Sequence, residues 1–256
     1  MFLHRAAVLL AACLLLSSGG VAALTQEEVA AGADRLYRLR LGELARAGML
    51  DRDPAFLARV ARIAQRLGEQ ARRDHPAGAP QSWEIHTSSD PDDNASCMAG
   101  GKLLLSQPYV EQLALSDAEL AMVLSHEMQH ALLQHNLKEY EEAMRRDPRW
   151  RTRAFAALEE AVDNDARLMG QLAALNREQE VEADREGMAL AWRAGWRADA
   201  LAAYFRKAEQ ASPMSNLGSA SHPAPLARWR AARRQAAQLG DSPPAGPPFA
   251  PPFSPP

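Results

Sequence analysis

The chain has 256 residues, 47% of them apolar, with 29 basic and 32 acidic side chains. That length can bury a substantial core in one large domain or two small ones. A formal charge of −3 gives no electrostatic reason to expect a nucleic-acid partner, because such binding demands a basic excess.

Residues 1–23 read as an export signal. Met1–Arg5 carries one positive charge, and Ala6–Leu16 is an uninterrupted apolar run too short to span a bilayer. Val21-Ala22-Ala23 then supplies small residues for a signal peptidase, which predicts a periplasmic protein. Leu10-Ala11-Ala12-Cys13 also reads as a lipoprotein box. The alternative is therefore an outer-membrane lipoprotein, touching the membrane only through a lipid anchor at Cys13. Cleavage after Ala23 leaves Cys97 as the only cysteine, so no intramolecular disulfide can form.

Thr25–Ala47 reads as helical. Phe56–Leu67 is a clearer amphipathic helix, with Phe56, Val60, Ile63 and Leu67 on one face. Asp74–Pro80 is loop. Ser82–Thr87 and Lys102–Ser106 read as short strands separated by the turn-rich Ser88–Asn94, and a short helix follows Pro108. Ser116, with Glu119 three residues on, opens a helix that runs to about Gln134. Lys138–Trp150 is charged and broken at Pro148, and reads as a surface connection. Helical pattern resumes near Arg153, and Asn176 with Gln179 marks a fresh N-terminus for a helix to about Arg193. Ala198–Ala211 and Ala224–Leu239 are further helices. The tail, residues 241–256, holds eight of the seventeen prolines and should be an extended arm. Phe249 and Phe253 could anchor that arm in a partner's groove, a solvated tail being the plainer reading. The expectation is an α+β domain, mainly α, over residues 24–240.

The residues that carry chemistry begin with His126-Glu127-Met128-Gln129-His130 in the Ser116 helix. Histidines four apart lie one turn apart on one face, so both imidazoles can reach one ion. Zinc takes neutral imidazole nitrogens and, in catalytic sites, keeps one position for water. Glu127 sits about 100° around the helix, where it can accept a proton from that water without being a ligand. The plain alternative is a pair of packed helix histidines. A di-iron reading of Glu127-x-x-His130 fails because no second E-x-x-H exists.

A third ligand can come from Glu180-Val181-Glu182-Ala183-Asp184. Glu180 and Asp184 stand four apart on one face. Glu180 can bind the metal, and Asp184 can accept a hydrogen bond from the distal nitrogen of a ligating histidine. The same acidic spacing also fits a solvated helix face.

Taken together, these residues resemble the M48 family of zinc metallopeptidases, gluzincins with His, His and Glu ligands. The resemblance spans about Ala55–Arg233. It rests on Asn94-Ala95, on Gly100-Gly101 before a strand, on Ser116–Leu120 leading into H-E-x-x-H, and on His135 at the family spacing. Asn176-Arg177-x-x-Glu180-x-x-Ala183-Asp184-x-x-Gly187, Arg193-Ala194-Gly195, and Ser221-His222-Pro223 with Arg228 complete it.

The resemblance implies a zincin-like domain whose small edge-strand sheet packs on the H-E-x-x-H helix. It implies one Zn²⁺ per chain on His126, His130 and Glu180, with Asp184 orienting the shell. The activity implied is endopeptidase hydrolysis through a metal-activated water with Glu127 as general base. Misfolded or misassembled envelope polypeptides are the implied substrates, and a latent or weakly active zinc-binding chaperone is the alternative. With no later membrane span, the chain resembles the small exported branch.

His222 comes near the zinc in the family pattern, as an oxyanion donor, a latency ligand or a residue that positions the His-Pro turn. Arg228 is expected to pair with acidic groups around the site. One departure stands out: Ser96, Cys97, Met98 and Ala99 replace the usual aromatic and proline before the double glycine. That bears on subsite preference. The segment should lead into Lys102–Ser106 as an edge strand, with Gly101, Lys102, Leu103 and Leu104 binding substrate by strand addition. Cys97 reads as a small buried residue. His75, His86 and His135 receive structural readings, with no ligand partner at usable spacing.

Overall fold

The computed structural model describes residues 23–80, 82–214, 217, 222–240 and 242–244. The signal segment up to residue 22, the lipid-anchor position Cys13 and the tail from residue 245 lie outside the described residues.

Helix α1 (Gln26–Arg46) starts at Thr25, whose side chain and that of Glu28 form a reciprocal capping box. Helix α2 (Pro54–Asp74) starts earlier and ends later than expected. Asp53 caps it by accepting from the Ala55 and Phe56 amides, and Pro54 occupies the first turn, where no donor is needed. Then come β1 (Glu84–Ser88), β2 (Ala95–Met98), β3 (Lys102–Ser106) and the short α3 (Gln107–Gln112).

Helix α4 (Asp117–Leu132) carries the H-E-x-x-H segment. Ser116 and Glu119 cap it reciprocally, a contribution of about 1 kcal/mol. Leu120 through His126 are all buried, so α4 has no solvent face along that stretch. It runs through the centre of the main core, against α2, β2, α7 (Ala166–Arg193) and α8 (Ala198–Ala211). Helix α9 (Pro225–Leu239) closes over α7 and α8. No helix among the described residues is long and apolar enough to cross a membrane.

The structure corrects three readings. First, the sheet has order β1-β3-β2, so Lys102–Ser106 is its central strand. Leu103 pairs with Ile85 of the parallel β1 and with Cys97 of the antiparallel β2. Both edges of β3 are occupied, and Gly101, Lys102, Leu103 and Leu104 cannot take a further strand. The hairpin that places β2 beside β3 rests on Gly100 and Gly101 at φ of +80° and +78°, a region favouring glycine. Four residues, Ala-Ser-Cys-Met, are too few to show a period.

Second, much of Lys138–Trp150 is helix: α5 (His135–Arg146), then a 3₁₀ turn at Pro148–Thr152. Its buried stripe, Tyr140 and Ala143 with Leu137 and Met144 packed nearby, is diluted by charge on the other faces. Third, α7 does not begin at Asn176. After α6 (Phe155–Asn164), Asp165 accepts from the Arg167 and Leu168 amides, and the helix runs unbroken for 28 residues. The Asn176 amide instead donates to Glu139 of α5 at 2.8 Å.

Candidate metal centre

His126 and His130 stand one turn apart on α4, and Glu180 faces them from α7. The two helices meet closely because position 187 is glycine. A Cβ there would lie 2.8 Å from the His126 backbone nitrogen and 2.9 Å from its Cα. Gly187→Ala is therefore expected to push α4 and α7 apart and to cost about 1–3 kcal/mol. Urea unfolding would measure that loss. Metal affinity should fall with it, since the ligating atoms are divided between the two helices.

Ligand atoms from His126, His130 and Glu180 all lie within 4.8 Å of one another. His126 Nε2 is 3.3 Å from His130 Nε2 and 3.6 Å from Glu180 Oε2, and His130 Nε2 is 3.3 Å from Glu180 Oε1. A tetrahedron with metal–ligand bonds of about 2.0–2.1 Å has edges of roughly 3.3–3.4 Å. The three side chains thus converge at about the spacing that a tetrahedral zinc ion needs. His126 and Glu180 are only 7% and 6% exposed.

The surrounding groups hold this trio. His126 Nδ1 lies 2.9 Å from Asp184 Oδ1, one turn beyond Glu180 on α7. Arg228 of α9 donates to both Asp184 oxygens, at 2.7 and 2.8 Å. Burial raises the Asp184 carboxyl, but Arg228 and His126 outweigh it and hold the group below its usual range. Burial likewise opposes ionisation of Glu180, and hydrogen bonds from His130 and His222 hold its carboxyl well below that range. His222 is half-exposed, with Nδ1 2.8 Å from Glu180 Oε2. Ser221, beside it in the sequence pattern, lies outside the described residues.

Glu127 is not one of the three converging groups. Its Oε1 stands 3.9 Å from His126 Nε2, and burial pushes its carboxyl up against the pull of the two histidines. It lines a cavity of about 250 Å³ together with Asn94, Ala95, Tyr109, Tyr204, His126 and Glu180. A larger cavity, about 480 Å³ between α7, α8 and α9, meets the site only at Asp184 and Arg228. Its other walls are mainly alanines, Phe205, Leu239 and solvated arginines and glutamines, so it adjoins the chemistry without containing it. Cys97 is buried and its thiol is pushed well up by that burial and by Glu127, so it stays neutral.

Three residues near the site were not singled out as functional. Tyr109 of α3 and Tyr204 of α8 share a hydroxyl–hydroxyl hydrogen bond of 2.8 Å in the cavity wall. They come from separate helices, so no spacing could pair them. His135, read as structural, is no metal ligand, yet its Nδ1 lies 3.0 Å from His130 Nδ1. His75 ends α2 and His86 pairs with Asp51, both away from the trio.

The profile of Peptidase family M48 matches residues 57–236, more than half of the chain and every element around the trio. A search of curated proteins found no match. Family membership supports a zinc-dependent metallopeptidase activity in general, and the His-His-Glu group is where such an ion fits. With its H-E-x-x-H helix, its facing glutamate and this match, the chain belongs to peptidase family M48.

Proposed function

We propose that the chain is a zinc endopeptidase that cleaves exported polypeptides, misfolded or misassembled envelope proteins foremost. The observation that carries this reading is Glu127: a half-buried carboxylate beside the ligand atoms, outside the ligand set, on the wall of a cavity. A purely structural zinc site is closed and has no use for such a base. Bound zinc supplies a Lewis acid for the scissile carbonyl and a water of lowered pKa. Glu127 accepts the proton at its carboxylate and passes it to the leaving amine nitrogen. Asp184 holds His126 through Nδ1, and Arg228 keeps Asp184 ionised.

The peptide's place is assigned to β2. Its outer edge has no strand partner among the described residues, and Ala95 lines the cavity that holds Glu127. An extended substrate could add there as a fourth strand, with main-chain hydrogen bonds giving affinity.

Casein cleavage by the purified chain tests the activity. Removing metal with a chelator should abolish cleavage, and one equivalent of Zn²⁺ should restore it. Cleavage that survives complete metal removal would sink the reading. The contact of His222 with Glu180 favours a second reading, a latent protease or zinc-binding quality-control factor. If that is right, His222→Ala raises casein cleavage; an oxyanion donor would instead make the variant slower. Export is proposed from the leader pattern of residues 1–23. Fractionation of a Gram-negative host should place the chain in the periplasm, or in the outer membrane if Cys13 is lipidated.

A further inference from the structure

We infer that His135 and Glu182 form an orienting chain behind the metal ligand His130, with His135 as a positioning residue for the zinc site. The inference rests on the zinc reading above and adds two residues to it.

The geometry starts at Gln134, which adopts φ +56°, ψ +42° at the end of α4. A non-glycine residue in this left-handed region is uncommon and persists where the surroundings impose it. Here it breaks the helical phase. His135 no longer follows the spiral of α4 but folds back, its ring edge-on to His130 at 4.9 Å between centroids. His135 is 2% exposed, and its backbone carbonyl accepts a hydrogen bond from Gln179 Nε2 at 3.1 Å. The ring is thus held from α4, α5 and α7 together.

The proton positions follow from the ligand set. His130 faces His126 and Glu180 through Nε2, so in the zinc-loaded chain its proton sits on Nδ1. Nδ1–H then donates to His135 Nδ1 at 3.0 Å. An imidazole that accepts at Nδ1 carries its own proton at Nε2. That atom lies 3.2 Å from Glu182 Oε2 and donates to it. Each group has one orientation, and the chain ends on a carboxylate at the protein surface. Through it His135 fixes the tautomer and ring plane of His130 and makes Nε2 a better donor to the metal, as Asp184 does for His126. Glu180, supported by His222, completes a site in which every ligand has a partner of its own.

The test measures zinc affinity by competition with a fluorescent chelator. The chains compared are wild type, His135→Leu, His135→Asn and Glu182→Ala. His135→Leu should bind zinc about 10–100-fold more weakly. His135→Asn, whose side-chain oxygen takes the place of the accepting Nδ1, should recover to within about threefold of wild type. Glu182→Ala, at a half-exposed position, should lose affinity by about threefold or more. Circular dichroism of the metal-free chains confirms folding. Ring-nitrogen correlation spectra of the zinc-loaded wild type should show the proton on Nδ1 of His130 and on Nε2 of His135. These spectra and Glu182→Ala carry the test if His135→Leu does not fold.

A wild type that binds no zinc would overturn the metal reading and this inference together. Tight binding by wild type, with a folded His135→Leu within twofold of it, would overturn this inference alone. So would a proton on Nδ1 of His135 in the loaded chain.

Discussion

Glu127→Gln is expected to lower kcat/KM for peptide hydrolysis by about 10²–10⁴-fold, the usual contribution of a general base, and to leave the content of bound metal unchanged. Glutamine keeps the size and the polar atoms of glutamate, so the packing beneath the cavity should survive. What it loses is the ability to take a proton. Glu127 belongs to neither group of supporting contacts. The three converging atoms come from His126, His130 and Glu180, and the Nδ1 contacts of the two histidines go to Asp184 and His135. Cys97, Tyr109 and Tyr204 do not replace it. The Cys97 thiol is neutral, and Tyr109 and Tyr204 are pushed further from ionisation by burial. Steady-state kinetics beside metal analysis decides the matter. Full activity in Glu127→Gln would place the base elsewhere, and loss of zinc would make Glu127 a ligand.

Arg228→Met has the largest expected effect on stability. The Arg228 side chain is only 19% exposed; it makes a two-pronged contact with Asp184, 14% exposed, and its guanidinium also stands 3.9 Å from Glu180 Oε2. Removing the guanidinium leaves two carboxylates close together in a poorly solvated place. Breaking such a pair from one side costs about 3 kcal/mol, which for a chain of this length is about 6–12 °C in Tm.

Two comparisons separate this from a simple packing loss. Arg228→Met combined with Asp184→Asn should recover much of the deficit, because no buried charge is left unpaired. Zinc should also narrow it, since the ion supplies positive charge beside Glu180.

The pH dependence has a definite sign. The Asp184 carboxyl is held below its ordinary range, with burial opposed by Arg228 and His126. Its contribution is present above the unfolded pKa, about 3.9, and is lost as pH falls through the folded value. The gap between wild type and Arg228→Met should therefore shrink below about pH 4. A gap that is constant with pH would mean that the charge on Asp184 is not what Arg228 stabilises.

Features confined to one helix were legible from the chain alone. Ser116 and Glu119 are three apart, and three apart is what a capping box needs. His126 and His130 are four apart, and helix geometry puts them on one face whatever surrounds them. The apolar stripe of α2 and the mainly helical α+β class follow from the same local periodicity. Where charge or brevity hid the pattern, the reading failed. The charged faces of α5 masked Tyr140 and Ala143, and β2 has too few residues to alternate. Asn176 looked like a cap but spends its amide on Glu139 across the α5–α7 interface.

Local spacing put two imidazoles and a flanking carboxylate on one turn of helix, because helical periodicity is a property of the backbone. How that chemistry is held depends on contacts between separate elements. Gly187 lets α7 approach α4 closely enough for Glu180 to join the histidines. The left-handed Gln134 turns His135 back onto His130, and α9 delivers Arg228 to Asp184. The free strand edge moved from β3 to β2 because a glycine hairpin placed β2 on the outside. Each of these depends on how far apart two elements come to rest. That distance is fixed by packing between segments remote in sequence, which no local spacing encodes.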